Sequence, residues 1–189
     1  IVVSEIPSVD EEEKNSIINE FNNTKTEYPY NKSVVEIFED IVKESENLIA
    51  IEFNGKYITY KELNEKANAL AYKLKDLGIE KEDSVAIFSN KSIEVIIGLI
   101  AILKAGAAYV PILVDYPRER IDYILKDCNA KAILVESLDL IKDLRLPVID
   151  LSDSEIFNES NNNLDINIES NNLAYILYTS GTTGHPKGT

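Results

Sequence analysis

SVAIFSNKSIEVIIGLIAILKAGAAYVPI, residues 84–112, is the stretch from which the fold is read. Two short apolar runs, 84–88 and 107–112, have strand length and are rich in β-branched residues, while the run between them, 93–103, is apolar on nearly every side. A strand, a helix and a second strand in that order make a parallel pair joined by a crossover, and a helix apolar all round must be buried against the sheet. The alternation continues toward the C-terminus with a helix at about 118–128, a strand at 132–135, a short apolar stretch near 138–144 and a strand at 147–151. It predicts an α/β fold: a largely parallel sheet flanked by helices, with strands near Ser84, Ala107 and Ala132 pairing in parallel.

On the N-terminal side the signals are local. Thr59 and Glu62 have capping-box spacing, and Leu63, Ala67, Leu70, Ala71, Leu74 and Leu77 keep helical period until Gly78 offers a C-cap. Asn54-Gly55 between the runs 49–53 and 57–59 predicts a tight hairpin. Ser33 and Glu36 open a further amphipathic helix through Val34, Ile37, Phe38 and Ile41. Residues 1–30 read as a connector with one amphipathic helix, capped by Asp10 and carrying Ile17, Ile18 and Phe21. Residues 152–172, rich in Asn, Ser and Glu, read as a polar surface loop without assigned function, and 173–178 as a last strand.

Composition narrows the function. Thirty-three acidic against nineteen basic residues give a formal charge of −14, which disfavours nucleic acid and anionic membrane as partners. A small anion such as ATP stays admissible, because backbone amides and a lysine make a local positive pocket whatever the mean field. Cys128 stands alone and reads as a small buried thiol, so no internal disulfide forms and a cytoplasmic location is expected. His185 is the single histidine, which rules out a His/Cys metal cluster. No apolar run approaches the roughly 20 residues of a membrane span.

The chemistry lies in YTSGTTGHPKGT, residues 178–189. Gly181, Gly184 and Gly188 let the backbone turn tightly and free successive N–H groups to face an anion. Thr179, Ser180, Thr182 and Thr183 add hydroxyl donors, and Lys187 adds a full positive charge. A polyphosphate needs this set, because it is held by many short donors. The spacing is not that of the NTPase P-loop: five residues after Gly181 comes Pro186, and no glycine stands directly before Lys187. Pro186 disfavours immediate entry into a helix, so a loop between strands is expected. A glycine-hydroxyl loop that binds nothing is the competing reading.

TSGTTGHPKG resembles the phosphate-loop signature of the adenylate-forming enzymes, which include acyl-CoA synthetases, luciferases and the adenylation domains of nonribosomal peptide synthetases. ITYKEL at 58–63 and LKAGAAYVPILVDYPRERI at 103–121 resemble two further motifs of the peptide synthetase branch, in the same order. Residues 11–29 resemble the connector that follows an upstream condensation domain in those assembly lines. The family usually has an aspartate where Leu113 stands, so no ligand role is carried onto that position. His185 occupies a variable position and is expected to be an exposed loop residue.

The resemblance implies that 31–189 is the N-terminal part of the large subdomain of an adenylation domain, after a connector at 1–30. It implies a full enzyme that uses ATP and Mg²⁺ to form an aminoacyl-adenylate from an amino acid, releasing pyrophosphate, and then loads the phosphopantetheine thiol of a carrier domain. Thr179, Ser180, Gly181, Thr182, Thr183, Gly184 and Lys187 would bind the ATP phosphates. No catalytic and no metal-binding residue is placed within these 189 residues. The alternatives are another acyl-adenylate-forming ligase, for an acyl-CoA or aryl acid, and an inert folded fragment. Ile1 opens the chain, methionine is absent, and Thr189 follows the glycine-rich run, so a fragment that is inactive by itself and binds nucleotide weakly is expected. The loop 179–188 is expected to be mobile without nucleotide.

Overall fold

A computed structural model describes residues 9–141, 144–158, 162–179 and 186–189, without the side chains of 89, 139 and 140. The chain divides into two units, Ile1–Tyr30 and Asn31–Thr189. In the first, α1 (Glu11–Asn15) starts where the Asp10 carboxylate accepts from the N–H of Glu13 at 2.8 Å. The helix then widens to a π-turn over Ser16–Glu20, and the Asn22 amide donates to the carbonyls of Ile17 and Ile18 at 3.0 and 2.9 Å. Ile17, Ile18 and Phe21 stay exposed.

The second unit begins with α2 (Val34–Ser45) and its predicted capping box of Ser33 and Glu36. The hairpin of β1 (Ile49–Phe53) and β2 (Lys56–Thr59) turns at Asn54 and Gly55 with φ of 52° and 75°. Both angles are positive, which is why that pair of residues sits there. The second capping box, Thr59 with Glu62, opens α3 (Tyr60–Asp76). These caps give an acid-stability signature. Hydrogen bonds from Ser33 hold the Glu36 carboxyl below its usual range, bonds from Thr59 do the same for Glu62, and hydrogen bonds from Lys32 and Lys43 pull Asp40 down to about 2. A carboxylate whose folded pKa is depressed stabilises above its unfolded value of about 4, and that contribution is lost as pH falls through the folded value. The melting temperature should therefore drop between about pH 4.5 and pH 2, and thermal melts of Asp40→Asn across that window should show a shallower decline.

Four strands form the predicted parallel sheet in the order β4-β3-β5-β6: β3 (Ser84–Ser89), β4 (Ala108–Leu113), β5 (Ala132–Val135) and β6 (Val148–Asp150). β3 pairs in parallel with both β4 and β5, and β5 with β6. From β3 the chain crosses one way to β4, then back past β3 to β5, so right-handed connections put α4 (Ile93–Lys104) and α5 (Arg118–Asp127) on opposite faces. Two apolar clusters record this. Val85, Ile87, Ala132 and Leu134 pack with α3 and α4, while Ala86, Phe88, Ile133 and Val135 pack with α5. Period-2 alternation thus divides each buried strand between two cores.

α4 lies close on the sheet at Gly98. A Cβ built there would stand 2.8 Å from Cδ1 of Ile87 and 3.2 Å from Cδ1 of Leu134. Gly98→Val should cost about 1–3 kcal/mol through overpacking, measurable as a lower denaturation midpoint with unchanged slope; equal midpoints would show that α4 can back away freely.

Two expectations need correction. The polar stretch 152–172 is not merely a surface loop: Ser154–Phe157 forms a 3₁₀ turn with Ile156 buried, and Leu164 packs against the first core. Sparse apolar residues among many polar ones are enough to anchor it. The run 173–178 is not a continuous strand. It meets β4 at one bridge, where the N–H of Tyr109 donates to the Ala174 carbonyl and the N–H of Ile176 to the Tyr109 carbonyl. Pro111, next on that edge of β4, has no N–H to donate, so the ladder stops.

Candidate functional site

Period 2 also governs the segment leading to the glycine-rich run. Leu173, Tyr175 and Leu177 are exposed, whereas Ile176 and Tyr178 pack against the second apolar cluster. Strand pairing resumes at β7 (Tyr178–Thr179) against β8 (Lys187–Gly188), antiparallel, with Tyr178 opposite Gly188 and Thr179 opposite Lys187. One step further out Leu177 and Thr189 exchange both backbone hydrogen bonds, at 2.9 and 3.0 Å. A reciprocal pair alternates with a narrow pair in an antiparallel ladder, so Tyr178 and Gly188 face each other at close range.

Of the seven predicted phosphate contacts, Thr179 and Lys187 are therefore direct cross-strand neighbours with exposed side chains. Ser180, Gly181, Thr182, Thr183 and Gly184 lie outside the described residues, as does His185, and so does most of the 179–188 loop expected to be mobile. The flanks agree with a loop between strands. A hydroxyl and an ammonium on one face of a ribbon form a donor pair suited to adjacent phosphate oxygens.

The other face carries what the sequence reading missed. The Tyr178 hydroxyl donates to Oδ2 of Asp127, the last residue of α5, at 2.6 Å. Burial and then that hydrogen bond push its pKa up, so it remains a protonated donor. An inward-facing tyrosine needs a partner for its tip, a signal present in the sequence, but nothing in the pattern points to a residue 51 positions away. Further back, the Glu82 carboxylate accepts from the Asn172 amide at 2.7 Å and the Leu173 N–H at 3.1 Å, clipping the start of this segment.

Leu113 is half exposed at the end of β4 and lines an apolar hollow with Ile51, Phe53, Val95 and Ile96. Cys128 is half-buried, and burial pushes its thiol pKa up. Among the described residues no three His, Cys, Asp or Glu side chains gather as a metal site, and no described helix is long and apolar enough to cross a membrane.

Comparison with known proteins places this arrangement. The family model of the AMP-binding enzymes matches residues 38–189. Gramicidin S synthase 2 of Brevibacillus brevis is 47% identical over 192 aligned residues, covering 100% of this chain and 4% of that protein. The N-terminal subdomain of Klebsiella oxytoca NpsA, solved in complex with 3-hydroxyanthranilyl-AMSN, superposes with a TM-score of 0.74 at 29% identity over 87% of this chain and 42% of its own. A fused adenylation-PCP di-domain, NpsA-ThdA, superposes with a TM-score of 0.73 at 30% identity over 85% of this chain and 33% of its own. The chain thus spans a small part of the synthetase and under half of the solved subdomain.

Proposed function

Since this chain belongs to the AMP-binding enzymes, we propose that it is the leading part of an amino-acid-activating adenylation domain of a nonribosomal peptide synthetase. The observation that carries the reading is the pairing of Thr179 with Lys187 at the base of the glycine-hydroxyl loop, which sets a positive, donor-rich face in a chain of net charge −14. In the reaction, a carboxylate oxygen of the amino acid attacks the α-phosphorus of ATP and the bond to pyrophosphate breaks. Lys187 and the hydroxyls of Thr179, Ser180, Thr182 and Thr183, with the N–H groups around Gly181 and Gly184, hold the β- and γ-phosphates and take up the charge of the leaving pyrophosphate. This is positioning and electrostatic stabilisation, not acid–base work.

Among the described residues no cluster of carboxylates stands ready to hold Mg²⁺, which would be carried by groups elsewhere in the protein. The acyl group then passes to the phosphopantetheine thiol of a carrier domain with AMP as leaving group; the NpsA-ThdA fusion supports such a partner. Residues 1–30 are the connector from an upstream condensation domain.

The stronger likeness to a gramicidin S synthetase, at 47% against 29% for the NpsA subdomain, favours an amino acid over an aryl acid. Hydroxylamine trapping with the full-length protein that carries this chain decides the point. Formation of an amino-acid hydroxamate supports the reading, and hydroxamates from aryl or fatty acids alone would sink it.

A further inference from the structure

A ribbon of three rungs does not hold its position by its own pairing, because isolated two-stranded ribbons are marginal in water. Something must fix β7 and β8 to the body of the unit, and Tyr178 has the contacts to do so. Its ring packs against the cluster under α5, and its hydroxyl donates to Asp127 at 2.6 Å. Across the ribbon, a Cβ built on Gly188 would stand 3.0 Å from Cγ2 of Ile176, 3.2 Å from Cζ of Tyr178 and 3.3 Å from its Oη. The ring therefore occupies the space a side chain at 188 would need, and that glycine serves close approach, not chain reversal.

Alternation sends Tyr178 to the face opposite Thr179 and Lys187, so Tyr178 acts on a ligand of that face only through the backbone it shares with them. Accepting the reading of Thr179 and Lys187 as phosphate contacts, on which this rests, we propose that Tyr178 is a positioning residue: latched to Asp127 and seated over Gly188, it fixes the ribbon that presents Thr179 and Lys187 to the polyphosphate of ATP. Small displacements of positioned groups are costly to a reaction, and removing one hydrogen bond at the base of the ribbon introduces such a displacement.

The test compares wild type, Tyr178→Phe, Asp127→Ala, Asp127→Asn and the Tyr178→Phe/Asp127→Ala double variant in amino-acid-dependent ATP–pyrophosphate exchange by the full-length protein. Tyr178→Phe keeps the ring and loses only the hydroxyl. It should raise the KM for ATP about 3- to 10-fold, the scale of one ordinary hydrogen bond, because the bond acts on ATP only through the ribbon, and leave the KM for the amino acid unchanged. Asp127→Ala should match it, Asp127→Asn should recover most of the loss through its amide oxygen, and the double variant should be no worse than either single one. An unchanged ATP KM in Tyr178→Phe, equal rises for both substrates, or additive losses in the double variant would overturn the proposal.

Hydrogen exchange of the full-length protein without substrate separates the two levels. Faster exchange at the amides of Leu177 and Thr189 in Tyr178→Phe shows the latch itself, and unchanged protection there refutes it. Absence of pyrophosphate exchange in wild type overturns the functional reading, and with it the positioning role, whatever the latch does.

Discussion

Replacing Glu39 by alanine will lower the stability of the second unit by about 3–5 kcal/mol and its melting temperature by on the order of 10 °C. The cause is Lys104, at the end of α4, whose side chain is 1% exposed and ion-paired with Glu39 of α2. Around the ammonium stand the Phe38 ring, 5.7 Å away, and Oδ1 of Asn163 at 3.5 Å. Burial draws the lysine pKa down, while the Glu39 hydrogen bond and charge hold it up. Without Glu39 a charge is left in a dry site with a weak carbonyl and a ring face for company, and such charges are costly. Lys104→Met should be milder, because it places an apolar chain of similar length in the site and Glu39, with 20% of its side chain exposed, can turn to water.

The Glu39→Ala/Lys104→Met double variant should then regain most of what Glu39→Ala loses. The sign of the pH dependence follows as well. With its folded pKa below the unfolded value of about 10.4, the native state of Glu39→Ala binds fewer protons than the unfolded state in the alkaline range, so its deficit should shrink as pH rises toward 10. Thermal melts at pH 7 and pH 9.5 check both statements; a double variant as unstable as Glu39→Ala would refute the account of the buried charge.

Lys187→Ala should lower kcat/KM for ATP–pyrophosphate exchange by about 10- to 100-fold, less than the roughly 100- to 1000-fold of losing one enclosed oxyanion-hole donor, because Lys187 is exposed and shares the phosphates with other donors. The loss should fall mainly on ATP and pyrophosphate, with the amino-acid KM unchanged, if Lys187, paired with Thr179 at the base of the glycine-rich run, contacts the phosphates as proposed. Equal losses for amino acid and ATP would point to a general disturbance of the ribbon instead.

Much of the fold is written in short-range signals. Both capping boxes, the Asn54-Gly55 turn and the strand at 132–135 are where local chemistry puts them, since each depends on residues within a few positions. The alternation of apolar runs was enough for a parallel sheet flanked by helices, but not for the order β4-β3-β5-β6, which depends on where each crossover returns. Nothing in the local pattern marks Lys104, in the last turn of α4, as buried; its burial depends on α2 and on Asn163, contacts that are tertiary. In the same way the loss of pairing after Tyr109 is legible from Pro111 only once the partner edge is known.

The candidate site was legible as a composition and not as a geometry. Glycines, hydroxyls and one lysine marked residues 179–188, and the ribbon then put Thr179 across from Lys187. Tyr178, Asp127 and Gly188 passed unread because their relation is tertiary: a hydroxyl meeting a carboxylate from the end of another helix, over a backbone that has no room for a side chain.

The most direct measurement of the central claim is ATP–pyrophosphate exchange by the full-length protein that carries this chain, with amino acids supplied one at a time and the Lys187→Ala variant alongside. Exchange that depends on an amino acid and falls about 10- to 100-fold in Lys187→Ala is the predicted result. Contradiction would come from exchange with no amino acid at all, or from full activity after Lys187 is removed.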